Sequence, residues 1–192
     1  MKKLIILSIL VGIASVSNAQ VFTSAGAFQT AIASDPGQYL NSFGSSTSSW
    51  SGGTPTMSYT MSATSGLYSD GNFIGTNGPN EALLMTFTSG NVRAVGGSYF
   101  TTNISDVFQP GSTINITYSD GGTDSYIAGS TSQFRGYVSG TVLTSMSITS
   151  TGPDASRFLS MDNVVTSTVP EPATMTAMAL GALALLKKRK SA

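Results

Sequence analysis

Apolar and polar residues alternate along much of the chain with the period of two that is typical of half-buried β-strands. In residues 57–62, methionine and tyrosine alternate with serine and threonine, and residues 114–119 show the same pattern with isoleucine and tyrosine. The second run stops at Asp120-Gly121-Gly122, which predicts a hairpin turn with residues 125–128 returning antiparallel. Further strands are predicted over residues 39–43, 83–88, 92–100, 134–138, 143–149 and 158–166.

Two segments depart from this alternation. Ser24 is a suitable helix cap, and Ala25, Phe28 and Ile32 would share one face of a short helix. Residues 44–53 are rich in serine and glycine and predict a long surface loop that carries Trp50. Short strands with glycine-rich turns favour an all-β fold, an antiparallel, jelly-roll-like β-sandwich with one short N-terminal helix.

The N-terminal segment has the pattern of a secretory signal peptide. Lys2 and Lys3 precede an apolar run over residues 4–16, and Ser17-Asn18-Ala19 places small residues at the −3 and −1 positions. Cleavage is therefore predicted between Ala19 and Gln20.

The C-terminal segment has three parts. Pro170-Glu171-Pro172 breaks any preceding strand, residues 173–186 are uncharged, and residues 187–190 are all cationic. A helix over residues 173–186 would be only ~21 Å long, against ~30 Å of bilayer hydrocarbon, so it predicts a marginal, transient membrane anchor.

This three-part tail resembles the PEP-CTERM sorting signal. The resemblance implies export by a bacterium with a Gram-negative-type envelope, and bacteria that use this signal usually also make exopolysaccharide. It also implies processing near Pro170, Glu171 and Pro172 by exosortase, a membrane-embedded enzyme that resembles cysteine transpeptidases. The basic tail carries three lysines and one arginine, whereas the family is usually richer in arginine. Bodies that precede this tail are diverse, so the resemblance implies a destination and no activity. Residues 134–165 are similar to the second half of β-sandwich bodies seen before such tails.

These segments divide the chain into a signal peptide (1–19), a β-sandwich body (20–168) and a sorting signal (169–192). The part from residue 20 through Glu171 has three arginines, no lysine and nine acidic residues, a formal charge of −6. Because phosphate recognition uses clustered lysine and arginine, nucleic acid is not expected as a partner. Neutral glycans, or acidic polymers bridged by Ca²⁺, fit this charge better.

The body offers few catalytic groups. It lacks histidine, cysteine and lysine, which excludes imidazole bases, thiol nucleophiles, Schiff bases and ordinary zinc sites. A glycosidase needs only two carboxylates, but no spacing singles out a pair. We therefore expect that the protein is not an enzyme.

Two candidate binding features remain in the sequence. Asp120, Asp124 and Asp162 supply oxygen ligands suited to Ca²⁺, but they lack EF-hand spacing, so turn chemistry is the preferred explanation for them. Trp50 is a candidate glycan contact, or alternatively a lid over an edge of the core. No other cofactor is predicted.

These observations predict an exported, exosortase-sorted structural protein of the cell surface or extracellular matrix, associated with exopolysaccharide. The alternative is a carbohydrate-binding module for exopolysaccharide, and a carboxylate glycosidase is a distant third.

Overall fold

Two antiparallel β-sheets pack against each other in the computed structural model, which describes residues 19–33, 35, 37–43, 50–69 and 71–168. Within these residues the strands are β1 (Gln20–Phe22), β2 (Gly37–Asn41), β3 (Trp50–Gly52), β4 (Tyr59–Ser62), β5 (Leu67–Ser69), β6 (Ile74–Thr76), β7 (Leu83–Phe87), β8 (Val92–Thr102), β9 (Thr113–Tyr118), β10 (Thr123–Ile127), β11 (Phe134–Val138), β12 (Ser145–Thr151) and β13 (Phe158–Thr168). One helix, α1 (Ala25–Ala31), lies between β1 and β2.

The seven-stranded sheet has the order β1-β11-β8-β13-β6-β5, and β2 pairs with the second half of β13. The six-stranded sheet has the order β10-β9-β12-β7-β4-β3. Strands adjacent in sequence pair only in the β3–β4, β5–β6 and β9–β10 hairpins of the described residues. At most other connections the chain passes from one sheet to the other, so both sheets must assemble together.

The main core lies between the sheets and follows the predicted alternation. Tyr59 and Met61 of β4 are each 1 % exposed, while the intervening Thr60 is exposed. Full burial of an apolar side chain of this size contributes about 1.5–3 kcal/mol. A polar contact also joins the two sheets, because the buried Asn41 of β2 donates to the Tyr59 hydroxyl at 2.7 Å. This core confirms the predicted antiparallel β-sandwich.

A second, smaller core lies under α1. Ser24 caps the helix by accepting a hydrogen bond from the backbone N–H of Ala27, and Phe28 and Ile32 are fully buried. Phe28 packs against Phe22 of β1 with ring centroids 5.8 Å apart. The predicted helix is confirmed, although Ala25 is exposed and does not share the buried face.

The predicted long loop over residues 44–53 is wrong at its C-terminal end. Residues 50–52 form β3, in which Trp50 pairs with Met61 and Gly52 with Tyr59. This three-residue strand is too short to show a periodic pattern, as are β1, β5 and β6, which the alternation also missed. β3 and β5 each pair with the next strand of a hairpin, whereas β1 pairs with the distant β11, and β6 also pairs with β13.

Candidate functional site

A cleft of about 740 Å³ lies on the outer face of the seven-stranded sheet, where β5, β6, β13 and β8 run side by side. Leu159 and Met161 of β13 point into the main core and are at most 1 % exposed. Because side chains alternate along a strand, Ser160 points to the opposite face, where it lines the cleft. The walls come from residues 77–79, 102–109 and 154–158.

The floor of the cleft depends on a glycine. Tyr68 of β5 pairs with Gly75 of β6, and Gly75 pairs in turn with Ser160 of β13. Residues directly opposite each other in antiparallel strands share a face, so these three form one row. A Cβ atom at Gly75 would lie 3.1 Å from Ser160 Oγ. The missing side chain therefore keeps the floor open between Tyr68 and Ser160.

The loop between β8 and β9 forms one wall and is fixed by its own hydrogen bonds. The Asn103 side-chain oxygen accepts from the backbone N–H groups of Ser105 at 2.9 Å and Val107 at 3.0 Å. Asp106 has a left-handed backbone, with φ of 62°, and its carboxylate accepts a hydrogen bond from the Tyr68 hydroxyl. This contact ties the tip of the loop to β5 across the cleft.

The loop between β12 and β13 forms the opposite wall and is fixed from both sides. The Asn80 side-chain amide donates to the backbone carbonyl of Ala155 at 2.7 Å, and the Asn80 N–H donates to the carbonyl of Arg157 at 2.7 Å. When the Gln109 amide is turned by 180°, its nitrogen lies 3.2 Å from the Ser156 carbonyl and donates to it. Both walls are therefore held in place without a ligand.

The lining combines apolar and acidic side chains. Tyr68 and Phe158 are half-buried, and Ile104 at the rim is 85 % exposed. Asp106 and Asp154 supply the charged groups, and the lining residues include no lysine, arginine or histidine. The cleft can therefore offer apolar contact and hydrogen-bond acceptors, and it carries negative charge.

Asp120, one of the three candidate calcium ligands, lies at the turn of the β9–β10 hairpin. One carboxylate oxygen accepts from the Gly122 N–H at 3.0 Å, and the other accepts from the hydroxyls of Tyr137 at 2.8 Å and Ser139 at 2.6 Å. Burial acts to raise the pKa of Asp120, but these hydrogen bonds outweigh it and hold the pKa below its usual range. The carboxylate therefore joins the hairpin of one sheet to β11 of the other.

Asp124, the second candidate ligand, pairs with a cation of the protein itself. Its Oδ2 lies 3.4 Å from Nε of Arg135, and each side chain is only 13 % exposed. The Arg135 guanidinium also lies 4.1 Å from the ring centroid of Tyr126. Arg135 thus compensates the charge of Asp124 within the protein.

Asp162, the third candidate ligand, lies in the other sheet at an irregularity in the β8–β13 pairing. Its carboxylate accepts from both the backbone and the side-chain nitrogen of Asn163, each at 2.6 Å. Burial raises the pKa of Asp162, and the backbone hydrogen bond from Asn163 lowers it in part. Nowhere in the described residues do three or more acidic, histidine or cysteine side chains come together as metal ligands, so the structure does not unite Asp120, Asp124 and Asp162.

Trp50 lies at an edge of the main core. Its half-buried ring packs against Phe43 with centroids 5.3 Å apart and an interplanar angle of 78°. The indole nitrogen is buried and has no hydrogen-bond acceptor in the described part of the chain. The ring covers the core here, and its role as a glycan contact stays a prediction.

Of the predicted processing residues, the structure describes only those of the N-terminal cleavage site. Ala19 is exposed, and Gln20 begins β1, where it pairs with Val138. Pro170, Glu171, Pro172 and the predicted membrane helix over residues 173–186 lie outside the described residues. Among the helices that the structure does describe, none has the length and apolar character needed to cross a bilayer.

The cleft was not predicted from the sequence, because its residues come from distant parts of the chain. Tyr68, Asp106 and Phe158 belong to three different segments, and none carries a local motif. Only the exposed, apolar Ile104 stands out, and a lone exposed aliphatic residue is common on protein surfaces.

Comparison with known proteins found a match to a known motif in the C-terminal segment of the chain. The family model of the PEP-CTERM protein-sorting motif matches residues 168–190. Searches of curated proteins and of solved structures returned no match to the chain. The match begins at the last residue of β13, Thr168, so the sorting motif follows the folded sandwich directly.

Proposed function

We propose that this protein is a structural component of an extracellular matrix containing exopolysaccharide. The premise is that a chain with a PEP-CTERM protein-sorting motif is exported to the surface of a Gram-negative-type bacterium and processed there by exosortase. The observation that carries the proposal is the position of the motif. It starts where β13 ends, so processing in the motif can release or re-attach the sandwich as a unit.

The composition of the body supports a matrix role without catalysis. The chain lacks histidine and cysteine altogether, and its lysines lie only in the two terminal segments. Two of the three arginines of the body are engaged, because Arg135 pairs with Asp124 and Arg157 donates to the Gly152 carbonyl at 3.0 Å. Association with exopolysaccharide would therefore rely on neutral sugars, apolar contact or bridging cations.

The matrix role can be tested in the native host by following the body with an antibody. In a strain that makes exopolysaccharide, we expect the body in the washed matrix fraction, and in a strain that lacks the polymer we expect it in the medium. A lipoprotein of the same cells serves as the control for membrane contamination. Equal partition into the medium in both strains would contradict the proposal.

The cleft favours a second candidate function, that of a carbohydrate-binding module. Its volume lies within the range of ordinary ligand sites, and aromatic side chains occur beside polar ones, as in many such sites. The lining also contains two carboxylates, Asp106 and Asp154, which are the residue type that glycosidases use. Incubation with reducing-end-labelled polysaccharide separates these functions. We expect no shortening of the polymer, and shortening that Asp154→Asn abolishes would establish an enzyme instead.

A further inference from the structure

We infer that the cleft on the outer face of the seven-stranded sheet binds an uncharged segment of polysaccharide and discriminates against acidic polymers. The inference rests on the proposed association with exopolysaccharide and names the site and the chemical class of sugar. It uses the residues that line the cleft, which are contributed by β5, β6, β13 and the loops after β6, β8 and β12.

The apolar surfaces of the cleft suit the faces of sugar rings. Tyr68 and Phe158 lie at the floor and wall, and Ile104 extends the apolar surface to the rim. A pyranose ring presents C–H groups on its faces and hydroxyls at its edge, so it needs an apolar platform beside polar groups. Aromatic rings provide such a platform with little loss of side-chain entropy.

The polar groups of the cleft suit the edges of sugar rings. Sugar hydroxyls can donate to the carboxylates of Asp106 and Asp154, and hydrogen bonds to a charged acceptor are stronger than those between neutral groups. The Asp106 carboxylate is already oriented by the Tyr68 hydroxyl. The Asp106 carboxylate, which is the hydrogen-bond acceptor, therefore lies beside the Tyr68 ring, against which a sugar would pack.

Charge determines the class of sugar. The lining contains two carboxylates and no cationic side chain, and the body as a whole carries an excess of acidic residues. A uronate, sulfate or phosphate group in the cleft would face the like charge of Asp106 and Asp154 with no cationic side chain among the lining residues to compensate it, which is an effective means of discrimination. Uncharged sugars avoid this cost.

The cleft is also pre-organised. Asn103 fixes one wall through two backbone N–H groups, and Asn80 fixes the other through Ala155 and Arg157. A rigid site loses less conformational entropy on binding than a mobile loop does. Few new contacts are then needed for measurable affinity.

The test is calorimetric titration of the full chain, purified in a zwitterionic detergent that has no sugar head group. The probes are unbranched neutral hexasaccharides of glucose, mannose, galactose and N-acetylglucosamine, with a hexauronate as the acidic counterpart. We expect saturable binding of at least one neutral hexasaccharide to one site, and at least tenfold weaker binding of the hexauronate at low salt. Failure of all four neutral probes to bind, or preference for the hexauronate, would overturn the inference.

Variants locate the binding in the cleft. Phe158→Ala and Tyr68→Ala should each weaken binding about tenfold or more, which corresponds to about 1.4 kcal/mol. Tyr39→Ala is the matched control, because Tyr39 is another half-buried tyrosine of the same sheet and lies outside the cleft lining. Ile104→Ala removes a side chain that is 85 % exposed, so it should fold normally and still weaken binding severalfold. Unchanged affinity in Ile104→Ala and Phe158→Ala would overturn the inference.

The same variants separate this inference from the proposed function. If Phe158→Ala remains in the matrix fraction of polymer-producing cells as the parent protein does, the cleft is not the site of association, although the matrix role stands. If the parent protein itself is absent from that fraction, the matrix role fails whatever the titration shows.

Discussion

The Tyr137 hydroxyl donates a hydrogen bond to Asp120 at 2.8 Å and so joins β11 of the seven-stranded sheet to the β9–β10 hairpin of the six-stranded sheet. The Tyr137 ring also stacks on Tyr118 of β9, with centroids 3.8 Å apart and an interplanar angle of 8°. One side chain thus makes both an apolar and a polar contact between the sheets. Disulfides are absent because the chain has no cysteine, so such contacts bear directly on stability.

A double-mutant cycle should detect the contact between Tyr137 and Asp120. Tyr137→Phe keeps the ring and removes the hydroxyl, while Asp120→Asn removes the charge. We expect each variant to lose about 1 kcal/mol of unfolding free energy, near the low end for bonds to charged groups because Asp120 is exposed. Urea unfolding of the two single variants and the double variant measures the coupling. Strictly additive losses would show that the bond contributes nothing to stability.

The stability contribution of Asp120 should depend on pH. Because hydrogen bonds hold its folded-state pKa below the unfolded value, its contribution is fully present above the unfolded pKa, about 3.9. It is lost as the pH falls through the lower, folded-state pKa. The difference in unfolding free energy between the parent protein and Asp120→Asn should therefore be constant near neutral pH and shrink below about pH 4.

Asp162→Asn is the matched control for this pH dependence. Burial raises the pKa of Asp162, so the charged form is disfavoured in the folded state at neutral pH. As the pH falls through the raised folded-state pKa towards the unfolded value of about 3.9, the parent protein should gain stability relative to Asp162→Asn, and this gain should level off below that value, where the Asp120 contribution begins to be lost. Parallel curves for the two aspartate variants would contradict both assignments.

The packing of α1 on the seven-stranded sheet should depend on the absence of a side chain at Gly136. A Cβ atom there would lie 2.5 Å from Cδ2 of Phe28. We expect Gly136→Ala to lower the unfolding free energy by about 1–3 kcal/mol through overpacking. At Gly129 a Cβ atom would meet only the Gln133 side-chain oxygen at 3.5 Å, so Gly129→Ala should change stability by less than about 0.5 kcal/mol. If urea unfolding gave the same change in unfolding free energy for Gly136→Ala and Gly129→Ala, α1 would have to move to accommodate the added methyl group at no cost.

Calcium should have no effect on the thermal stability of the protein. The Asp120 carboxylate accepts a hydrogen bond from Tyr137, Asp124 forms an ion pair with Arg135, and Asp162 lies in the other sheet. An ion that binds only the native state would raise the melting temperature by mass action. We expect the same melting curve in chelator and in millimolar Ca²⁺. A rise that Asp120→Asn abolishes would establish the calcium site.

Processing of both ends should be visible in the mass of the extracellular protein. We expect a form that begins at Gln20 and ends near Pro170-Glu171-Pro172, with tryptic cleavage only after Arg93, Arg135 and Arg157. Glu171→Ala should leave an uncleaved, membrane-retained form, because it alters the sorting motif. Peptides containing Lys2 or the cations of residues 187–190 in the released protein would contradict double processing.

Local sequence patterns were sufficient to predict an element wherever the residues that specify it lie close together in the chain. The alternation in residues 114–119 and the glycines after Asp120 specify the β9–β10 hairpin, in which Gly121 has φ of 91°. Ser24 and the spacing of Phe28 and Ile32 likewise specify α1. The sorting motif is also local, since it is a fixed order of proline, apolar and basic segments.

The sequence by itself therefore determined the fold class, the hairpin, the helix and the destination of the protein, because each depends on residues that are neighbours in the chain. Only the tertiary structure decided that Asp120 joins two sheets and that Tyr68, Asp106 and Phe158 meet at one cleft. Strand register brings these residues together over long separations, and register depends on which strands pair. No short stretch of sequence encodes that choice, because it emerges only when both sheets bury their apolar faces against each other.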